Sequence, residues 1–219
     1  EAASTFGTIS LTGANVAVTE AAATDLGAST VSGTFGVTST GAVTDSGTLA
    51  ITGATTISAS GQDITFDEAA STFGTISLTG ANVSVTEAAA TDLGASTVSG
   101  TFGVTSTGAV TDSGTLAITG ATTISASGQD ITLSDASSTF GTISLTGANV
   151  AVTEGAATDL GASTVSGTFG VTSTGAVTDS GTLAITGATT ISASDQDITL
   201  SEAASTFGTI SLTGANVAV

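Results

Sequence analysis

The chain has 219 residues and a formal charge of −18, with no Lys, Arg, His, Pro, Cys, Met, Trp or Tyr. Without cations it cannot neutralise phosphate or be drawn to anionic lipid, which excludes nucleic-acid binding and electrostatic membrane docking. Without His, Cys or Lys no base or amine activates its many Ser and Thr hydroxyls, so the chain reads as a structural protein and not an enzyme.

The apolar fraction of 40% and mean hydropathy of +0.49 argue against disorder. No apolar run approaches the ~18 residues of a membrane helix. A transmembrane barrel would want Trp and Tyr girdles. In chain order, Ile9 and Leu11 flank Ser10, and Val16 and Val18 flank Ala17. The segment EAAATDLGA at 20–28 is the one stretch with helical spacing, and it is short and ends in glycine. Phe35/Val37, Leu49/Ile51 and Ile64/Phe66 then repeat the apolar-x-apolar spacing. That spacing places both large side chains on one face of a strand. Gly, Asn, Asp and Ser interrupt it at Gly13, Asn15, Asp25, Gly33, Gly41, Asp45, Gly53, Gly61 and Asp63, which marks turns.

The whole pattern then recurs. STFGTISLTGANV begins at Ser4, Ser71, Ser138 and Ser205, a period of 67 residues. Three units, 1–67, 68–134 and 135–201, precede a partial fourth at 202–219. The units differ at seven columns: Glu1/Asp135, Ala3/Ser137, Ala17/Ser84, Ala21/Gly155, Gly61/Asp195, Phe66/Leu133 and Asp67/Ser134. Strict repetition argues for a one-dimensional stack in which each unit packs on its neighbours. With no initiator Met and no atypical capping unit at either end, the sequence reads as an internal piece of a longer polypeptide.

A weaker likeness lies inside the unit. TISLTGANVAV at 8–18, TFGVTSTGAVT at 34–44 and TLAITGATTIS at 48–58 resemble one another. They divide the unit into about three coils, 24–43, 44–63 and 64–90, of 20, 20 and 27 residues. The extra residues of the third are expected to bulge near Glu87–Ala90 or Asp67–Thr72. The expected fold is all-β, a parallel β-solenoid of about three coils per repeat with no helices of note. A string of small β-sandwiches is the alternative, and a 67-residue unit without Trp, Tyr or disulfide falls short of one.

The stretches at 25–66 and 4–27 resemble the β-helix repeats of bacterial filamentous haemagglutinin-type surface exoproteins. The resemblance covers the chain. It implies a right-handed parallel β-helix, export to the outer surface of a bacterium, and work as an adhesin shaft, sheath or fibre. Partners are then other copies, end to end or side by side, and surface glycans or matrix.

No catalytic residue is assigned. The close carboxylate pairs are Asp63 with Asp67 and Asp195 with Asp197. A carbohydrate-binding or carbohydrate-processing β-helix is the rival function, and a deep acidic cleft would mark it. For a metal, calcium is the one candidate cofactor. If coils stack in register, Asp25 and Asp45 occupy similar corners and Asp63 lies near Asp67 and Glu68, where stacked carboxylates would favour a hard cation. The plainer reading makes all five solvated turn residues. Phe6, Phe35 and Phe66 are expected as core fillers or corner wedges. The sequon Asn82-Val83-Ser84 occurs in one copy and is read as accidental.

Overall fold

The computed structural model describes residues 4–219, which form 29 strands, all paired in parallel, and no helix. One sheet takes 26 strands and a second takes three. The chain winds as a β-solenoid, as the spacing predicts.

The strands follow from parity. In Phe35–Ser39, Phe35, Val37 and Ser39 face inward and are buried, while Gly36 and Thr38 face outward. The inner positions stack into a continuous core in which Leu26, Phe35, Leu49, Ile57, Ile64 and Phe66 are fully buried. Phe66 stacks on Phe73 with ring centroids 5.8 Å apart. Phe35 and Phe66 are thus core residues as expected, but Phe6 is 46% exposed. Its copies Phe73 and Phe140, each covered by a coil on both sides, are buried. At one corner the coils approach so closely that only glycine fits. A Cβ on Gly53 would strike the carbonyl of Gly33, and one on Gly74 would strike that of Gly53.

The coil count follows from register. Starting at Thr24, successive partners are Val43, Ile64, Val83, Phe102, Thr122, Ile143 and Leu160. Seven coils therefore lead from Thr24–Leu26 to Thr158–Leu160, its copy two repeats on. The copy one repeat on, Thr91–Leu93, stands in a different column, over Thr75 and Ile76. One repeat thus takes three and a half coils, and neighbouring repeats are related by half a turn about the rod axis. At about 4.8 Å per coil each repeat rises about 17 Å.

About three coils per repeat were expected, and the solenoid is of that kind. The division into 20, 20 and 27 residues is replaced by turns of roughly equal size, because the surplus in 64–90 does not bulge. It makes the half coil. Thr75–Gly80 lies over the single strand Thr55–Ser58, yet carries two strands above it, Thr91–Leu93 and Ser96–Val98. One broad side of the rod splits into two. Meanwhile the side that carries Ser29–Val31, Leu49–Ile51 and Thr72 closes to a corner, since the turn after Glu87 stands above it. A triangular coil leaves each junction inverted.

Candidate functional site

Carboxylates are the only charged side chains in the sequence, and they are the candidate site residues. The structure places most of them in ladders that tie one coil to the next. Asp25 lies on the outer face of Thr24–Leu26, where its Oδ2 accepts hydrogen bonds from the Thr8 hydroxyl below at 2.5 Å and the Ser46 hydroxyl above at 2.9 Å. Asp92 does the same with Thr75 and Ser113, and Asp159 with Thr142 and Ser180. Asp63 accepts from the backbone and side-chain amides of Asn82 at 3.1 and 3.0 Å. Asn82 Oδ1 in turn accepts from the backbone N–H and hydroxyl of Thr101. The side-chain amide of the lone sequon is thereby engaged within the rod.

Asp45 faces inward and is buried. Its Oδ1 accepts the Asp67 N–H at 2.9 Å. The copies make the same bracket: Asp112 holds the N–H groups of Ser134 and Asp135 at 2.7 and 3.1 Å, and Asp179 those of Ser201 and Glu202. Burial pushes the Asp45 carboxyl above its ordinary range, the Asp67 and Glu68 amides pull it back, and the Asp67 and Glu68 carboxylates push it up again.

These placements revise the expected grouping. Asp25 pairs with Thr44 and Asp45 with Leu26, so the two acids are one residue out of step and point to opposite faces of the sheet. Similar corners were expected from sequence spacing, which cannot see a one-residue slip. Asp63 is separated from Asp67 and Glu68 by the buried strand Ile64–Phe66, and Asp45 faces that turn instead. Asp25, Asp45 and Asp63 therefore occupy three separate positions, each already accepting protein donors. Among the described residues no group of three or more acidic side chains is arranged to hold a metal ion.

One set of acids escaped the sequence reading. Glu20, Glu87 and Glu154 are 1%, 0% and 0% exposed. Each extends the inward parity of its strand: Val83, Val85 and Glu87 alternate with Ser84 and Thr86. That apolar-x-apolar-x-Glu pattern was the available signal. Oε1 of each accepts a backbone N–H across the closing corner, from Phe6 at 2.6 Å, Phe73 at 2.7 Å and Phe140 at 2.7 Å. These amides lie where the side of the triangle ends, so the strand ladder offers them no carbonyl. Oε2 of each glutamate is buried without a partner. Burial raises the Glu87 and Glu154 carboxyls above their ordinary range, against the Phe73 or Phe140 N–H and the neighbouring Thr91 or Thr158 hydroxyl.

A cavity of about 600 Å³ opens at the last coil, lined by Leu200, Phe207, Val219 and a single acid, Glu202. It is the mouth of the apolar interior and lacks the converging acids that a glycosidase cleft requires.

A family model described as repeats of unknown function (DUF5649) matches residues 13–79, 80–146 and 147–213. No curated protein and no solved structure matches the chain. The three matched segments are consecutive and have the same 67-residue period as the sequence repeat, framed from a different starting residue.

Proposed function

We propose, on the premise that the chain belongs to the family of repeats of unknown function (DUF5649), that its work is mechanical: it is the rod of an extracellular or cell-surface fibre, sheath or adhesin shaft. The observation that carries this reading is the continuity of the ladder. Every repeat hands its strands to the next through the same half turn, so no hinge or linker interrupts the stack from Thr8 to Ala218. The acids support the same reading, because they serve as vertical ties between coils. Outward positions between them are largely Gly, Ala, Ser and Thr, as in Ala17, Gly36, Thr56 and Ser77 of one column. Such a surface keeps the coils evenly stacked and holds whatever lies beyond the rod at a fixed distance.

The test is length. Arrays of three, six and nine repeats imaged by electron microscopy should be unbranched rods that lengthen by about 17 Å per repeat, from the coil spacing. Particles whose end-to-end distance grows with the square root of repeat number would defeat the rod. Immunogold labelling of cells with antibody to the array then tests its place. Label on the outer surface supports the shaft, and label confined to the cell interior overturns it.

A further inference from the structure

At the half-turn junctions Glu87 and Glu154 each keep one buried carboxyl oxygen, Oε2, that ties nothing. We propose that Glu87 and Glu154 are proton-binding sites, held as neutral carboxylic acids in the folded rod, and that taking up the proton from solvent tightens each junction.

Beside Glu87, the Ser106 hydroxyl donates to the Ala89 carbonyl at 2.7 Å. A carbonyl can only accept, so the one hydroxyl hydrogen of Ser106 is committed. The Thr91 hydroxyl lies 3.1 Å from the Ser106 oxygen, and its one hydrogen can serve that oxygen or the glutamate beside it. Given to the carboxylate, that hydrogen favours the charged form, and burial outweighs it. Glu87 Oε2, fully buried, has no partner. The ionised carboxylate thus rests on one backbone N–H and one neighbouring hydroxyl, with no cation in the sequence to pair with it. A proton on Oε2 removes the buried charge and leaves the Thr91 hydrogen to Ser106. No covalent bond changes except the O–H formed on the carboxylate.

The third repeat buries the same acid but lacks the contact between the Thr and Ser hydroxyls. The Ser173 hydroxyl donates to the Ala156 carbonyl at 2.7 Å. Glu154 Oε2 and Thr158 Oγ1 are both buried and both lack a partner. In each case the other oxygen, Oε1, is fixed by the Phe73 or Phe140 N–H, so the acid cannot turn to solvent.

The surroundings favour the neutral form. The sequence has no cation to pair with a buried carboxylate. Titratable groups on the packed elements are Asp67 and Glu68 in the turn below Glu87, Asp135 below Glu154, and Asp92 and Asp159 on the following strands. Asp67 and Glu68 act on Asp45. Asp92 and Asp159 are bound outward to hydroxyls. All are acids, so none supplies a counter-charge. Burial raises both glutamates in agreement.

The sign of the pH effect follows. A carboxyl raised in the folded state binds its proton more tightly folded than unfolded, so stability is lost as pH rises through the folded value and is fully regained below the unfolded one. Each unit of elevation changes the unfolding constant about tenfold per site.

The experiment compares the full array with E87Q/E154Q. Glutamine keeps the Oε1 acceptor, carries no charge and does not titrate. The double variant should melt higher than the parent at neutral pH, and the gap should close on mild acidification. The remaining acids are common to both chains and cancel in the difference. A variant that melts at or below the parent at neutral pH, or a gap that does not change with pH, overturns the proposal. Carbon-13 NMR of the glutamate carboxyls in the parent array tests the same point without substitution. Two resonances titrating above the ordinary glutamate range support it, and their absence defeats it.

Discussion

The triangular coils of residues 16–54 and the junction of residues 67–91 are built on different physics. In the coils, strand sits squarely on strand: Val16–Glu20 carries Phe35–Ser39, and Ser29–Val31 carries Leu49–Ile51. Apolar side chains stack in columns, and backbone groups pair one to one. At the junction one side of the rod ends and another divides, so the ladder alone cannot satisfy every amide. Buried polar side chains replace it there: Glu87 takes the Phe73 N–H, and Ser71 takes the Leu49 N–H. Regular stacking thus rests on side-chain volume, and the half-turn shift rests on placed hydrogen-bond acceptors. Substitutions should separate the two.

The largest effect belongs to the coils. Phe102 is 1% exposed and lies in register between Val83 and Thr122. Phe102→Ala should cost about 3–5 kcal/mol, from lost burial and the void left behind. Because a solenoid couples nearest neighbours, hydrogen exchange should speed most in the coils directly above and below. A cost below about 1 kcal/mol in denaturant melts would contradict a core held by packing, by the same reasoning.

The junction should respond less, and by another route. Glu154→Ala strands the buried Phe140 N–H and removes little apolar volume, which predicts a loss of about 1–3 kcal/mol. Its mark is locality: exchange should speed at Phe140 and in the turn after residue 154, with the strands near Phe102 unchanged. Equal loosening along the whole array would erase the distinction between the two regions.

Much of the regular part was legible in the sequence. Apolar-x-apolar pairs such as Phe35/Val37 and Leu49/Ile51 specify strand, face and core together, and the 67-residue period specifies a stack. The half turn was not legible, because it depends on which residues meet across coils. Ile64 pairs with Val83 at a spacing of 19, Ile76 with Leu93 at 17 and Thr55 with Ile76 at 21. No single segment carries those differences. The acids show the same limit. Their ties are between coils, so a reading along the chain grouped Asp63 with Asp67, whereas the stack brings Asp45 to that turn. Glu87 was visible as the third inward position after Val83 and Val85, but a charged residue at that parity reads as a strand end until the closing corner is seen.

The smallest expected effect compares one turn across three copies. Gly61 and Gly128 have φ of 73° and 75°, and the third copy puts Asp195 at φ 63° in the same place. A side chain in this left-handed region crowds its own backbone, which glycine avoids. Space is not the difficulty, since a Cβ at Gly61 or Gly128 would meet nothing within 4 Å. The strain is purely conformational, and Asp is among the residues that tolerate it best. Asp195→Gly should therefore stabilise the third repeat by about 0.5–1 kcal/mol, and Gly128→Asp should weaken the second by a similar amount. The pair forms a control within one molecule, because the flanking Ser127 and Gln129 match Ser194 and Gln196. If Asp195→Gly instead destabilised the array, the aspartate would have to make a tie that outweighs its backbone strain, and the third repeat would differ from the first two in more than a turn residue.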